Sequence, residues 1–382
     1  MRLKTIQRDK AVINDYDDLE YLYRFEKFPV FMGCTTKSME EDILADMQWM
    51  ISKNTGVIQL NPVLPLEILY QESHGSGNIG LLWKEHHEQF AKFIKKQTPL
   101  SILEIGGGHG ILSREYKKEN IIDWTILEPN PSPADDVDAT YIKGFFDDKF
   151  SFDSKIDTIV HSHVFEHIYY PDEFMTNISK FLVEGQKLIF SIPNMEEMLK
   201  RKYTNCINFE HTVFLTEPYV DYLLIKHGFK LLEKQYFRED HSIFYAYVKA
   251  SSEAAVHLPK DLYNHNKKLY LDYVDYHVSV IKDLNKKIDN LSGEKSLYLF
   301  GAHVFAQYLI NFGLNTKKII NLLDNDTNKH KKRLYGTDLM VESPEVLRDV
   351  SAPVVILKAG IYNNEIKNDI LDNINSDTVF WL

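Results

Sequence analysis

The segment Glu104-Ile105-Gly106-Gly107-Gly108-His109-Gly110 joins a carboxylate to closely spaced glycines at the end of an apolar run, Ser101-Ile102-Leu103. Glycines at a strand-to-helix turn let the backbone approach a ligand with no Cβ in the way. The dinucleotide fingerprint is G-x-G-x-x-G, and it seats a pyrophosphate on a helix N-terminus. Here the spacing is G-x-G-x-G, with an acid two residues ahead. A carboxylate at that place repels pyrophosphate and suits a cation or an ammonium group. Glu128 ends the next apolar run, Trp124–Leu127, and is placed to accept two hydrogen bonds from a ribose diol.

Strands must deliver these residues to one edge. Between residues 81 and 250 the pattern alternates: helix at Leu82–Lys95, strand into the glycines from Ser101, helix at Ile111–Lys118, strand at Trp124–Leu127. Further strands are expected at Thr158–His161 and Lys187–Ile192, with a helix at Asp172–Leu182 between them. Such alternation predicts an α/β fold, a mostly parallel sheet with helices on both faces and ligands at the carboxyl ends of the strands. Residues 1–80 read as an irregular N-terminal lid segment, with a candidate helix at Ser38–Ile51 and a short strand at Gly56–Leu60. Residues 251–292 read as a linker followed by a polar, Lys-rich helix, and 293–382 as a second alternating unit.

Composition narrows the partners. The chain has 382 residues, enough for two or three domains, and is 44% hydrophobic, which suits folded cores. Its net charge of −11 disfavours general nucleic-acid binding. No apolar stretch approaches the ~20 residues that span a bilayer. Cys34 and Cys206 are too far apart for a motif and give no disulfide framework, so buried thiols in a cytoplasmic protein are expected.

With Glu104, Gly106, Gly108, Gly110 and Glu128 in place, residues 80–250 resemble the class I S-adenosylmethionine-dependent methyltransferases. The resemblance implies a Rossmann-like core whose turn cradles the amino acid part of S-adenosylmethionine, while Glu128 holds the ribose. It places Phe145, Phe146 and Asp147 at the adenine. The segment HSHVFEHIYYPDEF, residues 161–174, lines the active site of that family, with His163 toward the cofactor and Val164, Glu166 and His167 in a V-x-E-H-I form.

Ile192-Pro193-Asn194, the Glu210-His211 pair and the run ending Lys226-His227-Gly228-Phe229 are similar to the three-domain deoxysugar C-methyltransferases. That likeness, extended by a long helix and a second Rossmann-like C-terminal unit, covers about 55–370. It implies methylation of a carbon next to a ketone on a nucleotide-linked sugar. Such chemistry needs a base and donors for an enolate. His211 is the first candidate base, His167 the second, and Glu210 a group that orients either. Lys202, in the run Lys200-Arg201-Lys202, could meet a diphosphate, and Asn194, Arg238 and His241 are further candidates for the sugar. The family's four zinc cysteines are missing, so no metal is expected. Its Tyr-His-Glu-His is replaced by Asn208-Phe209-Glu210-His211, and Tyr70 or His74 is the candidate substitute for a lost phenol. Oxygen or nitrogen methylation is the alternative. A different class, an NAD-dependent sugar-nucleotide dehydrogenase or epimerase, is opposed by the turn's spacing and by Glu104. Asp324, after a C-terminal strand, could hold a ribose or end a turn.

Overall fold

A computed structural model describes residues 3–69, 81–152, 155–250, 255–293 and 295–382. The N-terminal part is an antiparallel sheet of β1 (Leu19–Pro29), β2 (Leu44–Ser52) and β3 (Ile58–Leu60), in the order β1-β2-β3. The helix expected at Ser38–Ile51 is therefore a strand for most of its length. Met47, Trp49 and Ile51 alternate with more exposed neighbours and are fully buried. That two-residue period, with cross-strand partners on both sides, outweighs the helical propensity of the acidic stretch before it.

The central sheet is built from β4 (Ser101–Ile105), β5 (Asp123–Glu128), β6 (Thr140–Lys143), β7 (Thr158–Ser162), β8 (Lys187–Pro193), β9 (Phe229–Arg238) and β10 (Ser242–Lys249). Their spatial order is β9-β10-β8-β7-β4-β5-β6. All pairs among β4 to β8 are parallel, and β10 runs antiparallel to both β8 and β9. From β4 the chain steps outward to β5 and β6, then returns to the other side of β4 for β7. The strand order reverses between β4 and β7, where open α/β sheets leave a ligand crevice at their carboxyl ends.

Helices cover both faces. On one, α1 (Leu81–Lys96) and α2 (Ile111–Lys117) place Phe90, Phe93, Ile94, Leu112 and Tyr116 against Ile102, Trp124, Ile126 and Val160. On the other, α3 (Pro171–Phe181) buries Phe174, Met175 and Ile178 against Leu103, Ile159, Leu188 and Phe190. Strand neighbours such as Ile102 and Leu103 thus go to opposite cores, as the pleat requires. The helices α4 (Met195–Lys200) and α5 (Glu217–Lys226) complete this part.

The 28-residue α6 (Leu262–Asp289) spans about 42 Å at 1.5 Å per residue. Its first half buries Leu269, Tyr270 and Tyr273 in the larger core, and its second half buries Ile281, Leu284 and Ile288 in the C-terminal one. That last unit is an all-parallel sheet of β11 (Leu297–Phe300), β12 (Ile319–Leu323), β13 (Val341–Glu342), β14 (Val354–Leu357) and β15 (Val379–Trp381), in the order β13-β12-β11-β14-β15. The helices α7 (Val304–Asn311) and α8 (Asn363–Asp369) pack on it. Arg333 ties the unit to the N-terminal part through both carboxylate oxygens of Asp42, at 2.6 and 2.7 Å.

Candidate active site

The glycine turn leaves β4 at the reversal point. Gly106, Gly108 and Gly110 all have positive φ, at +74°, +47° and +74°. A Cβ on Gly106 would lie 2.6 Å from Val164 Cγ2, and one on Gly110 would lie 2.5 Å from Tyr141 Oη and Val137 Cγ1. These two glycines are demanded by packing. Gly108 differs: a Cβ there meets nothing within 4 Å, so this part of the turn opens on free space. Glu128, at the end of β5, accepts hydrogen bonds from the Gly108 and Asn130 amides at 3.2 and 3.0 Å. An open cradle with a carboxylate at its rim fits the sugar and amino acid ends of S-adenosylmethionine.

Glu104 is packed under this turn, with its Cδ 2.8 Å from where a Gly107 Cβ would stand. It accepts a 2.7 Å hydrogen bond from the Trp124 indole. Burial pushes its pKa up to about 7 against the pull of that bond. Phe145 and Phe146 divide. Phe145 is 52% exposed, two residues past the end of β6. Phe146 packs against Phe150, Phe174 and Phe181, with ring centroids 5.3, 6.0 and 5.5 Å away. Asp147 is exposed and accepts from the Lys149 amide at 3.0 Å.

Further candidate residues lie on the loop after β7. Val164, which touches Gly106, links it to the cradle. His163 has φ +53° and turns its ring so that Nε2 lies 2.9 Å from Ser242 Oγ and Nδ1 lies 3.1 Å from Glu166 Oε1. Glu166 is fully buried, and neither of its oxygens has a hydrogen bond of sound geometry among the described residues. Burial alone would raise its pKa; the His163 contact and the charges of His163, His167 and His211 outweigh it and hold it down at about 2. His167 and His211 meet edge to face, with ring centroids 4.7 Å apart at 81°. Glu166, His167 and His211 bring three ligand-type atoms within 4.8 Å of one another.

His211 is oriented from behind. Its Nδ1 lies 2.9 Å from the Cys206 carbonyl oxygen, which fixes Nδ1 as the donor and leaves Nε2 with the lone pair. Asn208 Oδ1 accepts from the amides of Glu210 and His211, at 2.8 and 3.1 Å, and so shapes the turn that presents them. Residues 212–214 run beside β3, with Leu60 N–H donating to Thr212 O at 2.8 Å and Phe214 N–H donating to Ile58 O at 2.9 Å. The Arg8 guanidinium, 3% exposed, donates to three carbonyls: Leu60 at 2.5 Å, Tyr169 at 2.8 Å and Thr212 at 2.9 Å. It thereby pins the segments that follow His167 and His211 to each other.

Of the residues expected to meet substrate, three converge. Asn194 N–H donates to His241 O at 2.9 Å and its side chain donates to Glu239 O at 2.7 Å; Asn194 and Arg238 line an open groove of about 670 Å³. Arg238 pairs with Glu85 at 2.6 Å. His241 Nδ1 lies 2.6 Å from Ser242 Oγ, within an aromatic nest with Trp83, His86 and His163. Burial drives His241 down to about 3. Lys202 lies apart, with its carbonyl taken by His277 of α6 at 3.0 Å. Lys200 and Arg201 are spent on Glu196, Glu197, Glu239 and Asp240. Tyr70 and His74 lie outside the described residues. Asp324 takes the Ala302 and Asp326 amides and Lys329, at 2.9, 2.9 and 3.0 Å, so its oxygens serve the C-terminal turn.

Residues that sequence reasoning did not single out are Glu166 as a member of the cluster, His86, Ser242 and Arg8. Glu166 stood in the V-x-E-H-I form, which was its signal. Arg8 carried none, because its partners are up to 204 residues away.

Residues 80–234 match a family described as methyltransferase domain. No curated protein matches the chain. Among solved structures, an S-adenosylmethionine-dependent methyltransferase from Listeria monocytogenes is 13% identical, with 44% of this chain and 99% of that one covered and a TM-score of 0.35. One from Mesorhizobium loti is 12% identical over 41% and 96% of the two chains, at a TM-score of 0.35. The N-methyltransferase NodS of Bradyrhizobium japonicum, bound to S-adenosylhomocysteine, is 14% identical over 47% and 92%, also at 0.35. With the matched family spanning the glycine turn and Glu128, residues 80–234 are a class I S-adenosylmethionine-dependent methyltransferase domain.

Proposed function

We propose that the enzyme methylates a nucleotide-linked sugar at, or next to, a carbon bearing oxygen. The observation that carries this reading is the meeting of His167, His211 and Glu166 at the strand ends, one residue pair away from the cradle through Val164. When bound, S-adenosylmethionine supplies an electrophilic methyl group. Gly108 gives its open face to that ligand, Glu128 takes the ribose, and Phe145 is free to cover the adenine.

The chain's own task is to hold the acceptor in line and to draw off its proton. The His167–His211–Glu166 group is the set of side chains placed to act on the acceptor's oxygen function. Asn194 and Arg238, beside His241, present the groove from which the rest of the acceptor is held. Carbon methylation next to a ketone is the leading reaction, by resemblance. Oxygen methylation is a second reading, favoured by Asn208: its side-chain oxygen is spent on two amides, and no phenol stands there for a keto oxygen.

The test is methyl transfer from S-adenosylmethionine with a carbon-13 methyl to a panel of keto- and hydroxy-sugar nucleotides, read by NMR. A product methyl shift typical of carbon attachment supports the enolate reaction, and one typical of oxygen attachment supports the second reading. Turnover confined to acceptors without a sugar would overturn the substrate class.

A further inference from the structure

We infer that Glu166, His167 and His211 form a binding site for a divalent first-row transition ion beside the methyl cradle. Two imidazoles and one carboxylate are the protein donors of open, catalytic metal centres, which keep a further position for water or substrate. Their ligand atoms lie within 4.8 Å of one another. Bonds of about 2.1 Å in a tetrahedral site put donors about 3.4 Å apart, so the set closes by shifts of about an ångström.

Two further observations are independent of that spacing. Glu166 is fully buried with both oxygens lacking a hydrogen bond of sound geometry among the described residues. A buried carboxylate in that condition is costly and calls for a cation. The outer contacts are those of metal ligands. The Cys206 carbonyl fixes His211 Nδ1 as donor at 2.9 Å and turns Nε2 into the ligating nitrogen. His163 stands behind the Glu166 carboxylate at 3.1 Å. Arg8 joins the two loops that carry the histidines.

The consequence for the reaction is that the imidazoles ligate, and an ion at this place would polarise the acceptor's hydroxyl or keto oxygen, so that the O–H or neighbouring C–H proton would be lost more easily, to an ion-bound hydroxide. This role rests on the methyltransferase reading; the ion's binding does not.

Equilibrium dialysis of the whole chain against Zn²⁺, Mn²⁺ or Co²⁺ salts, with metal analysis, tests the site directly. Uptake of about one ion per chain is expected, weakened at least about tenfold in Glu166→Gln and in His211→Ala. Titration of the same variants with S-adenosylhomocysteine is expected to be unchanged, which separates loss of the ion from loss of the cofactor site. A measurement on the unmodified chain guards against misfolded variants: Mn²⁺ should broaden the imidazole NMR signals of His167 and His211 first. No uptake, uptake indifferent to both substitutions, or first broadening at His86 and His87 would each overturn the assignment.

Discussion

Replacing Arg8 by Met should uncouple the two histidine loops while keeping most of the side chain's volume. Leu60, Tyr169 and Thr212 would each lose a buried donor. Thr212 O keeps the Leu60 N–H, so at about 1–3 kcal/mol for each of the two stranded acceptors the gross loss is about 2–6 kcal/mol. Against this stands the cost of burying the guanidinium, which lowers its pKa from 12.5 to about 10 and corresponds to about 3 kcal/mol. A net loss of at most about 3 kcal/mol in urea unfolding is expected. Misplacing His167 against His211 by about an ångström should also cut kcat by about ten- to a hundredfold. The glycine turn is untouched, so S-adenosylhomocysteine affinity by calorimetry should stay within about threefold. Arg8→Lys, which reaches fewer carbonyls, should fall between the two in both measurements. A variant with lowered stability and unchanged kcat would show that Arg8 holds the fold and does not position the histidines. A loss well above about 3 kcal/mol would refute the hydrogen-bond accounting itself.

Glu104→Gln should change the pH dependence of stability. The folded pKa of about 7 lies above a glutamate's ordinary 4.5, so Glu104's favourable contribution is full below about pH 4.5 and is lost as pH rises through 7. The variant should be more stable by up to about 3 kcal/mol at pH 8, with a flatter unfolding profile between about pH 4.5 and 7; an unchanged profile counts against the buried carboxylate. Gly108→Ala should cost only about 1 kcal/mol of stability for its positive φ yet weaken S-adenosylhomocysteine binding, whereas Gly110→Ala should destabilise more, since its Cβ meets Tyr141 and Val137 at 2.5 Å. Equal effects on both in calorimetry and thermal melts would remove the distinction. Phe145→Ala should leave stability within about 0.5 kcal/mol while lowering cofactor affinity, and Phe146→Ala should cost about 3 kcal/mol or more; the reverse order would place the adenine on the wrong ring.

The parts legible in the sequence were those whose signal is local. The turn at Glu104–Gly110 announces itself because three positive-φ positions in a row of five leave little choice but glycine. The strands around it are short apolar runs that end where the chain must turn. The stretch Ser38–Ile51 misled because its acidic start looks like a helix, while the alternation of Met47, Trp49 and Ile51 becomes decisive only when β1 and β3 are there to pair. Phe146 and Phe145 are indistinguishable as neighbours in sequence; the ring cluster of Phe150, Phe174 and Phe181 decides which one turns inward. Likewise, the pairing of His167 with His211 depends on Arg8 and on β3, neither of which lies near either histidine in the chain.

The N-terminal sheet has one further consequence, for the order in which the protein is made. Phe25 of β1 packs edge-on against Tyr308 and Phe312, at 5.3 and 5.0 Å, and Asp42 waits for Arg333. These partners follow about 280–290 residues later in the chain. At about 5–20 residues per second, the nascent sheet stays uncovered on that side for roughly a quarter of a minute to a minute. During translation its aromatic rings are the surface on which a chaperone, or a neighbouring nascent chain, would first take hold.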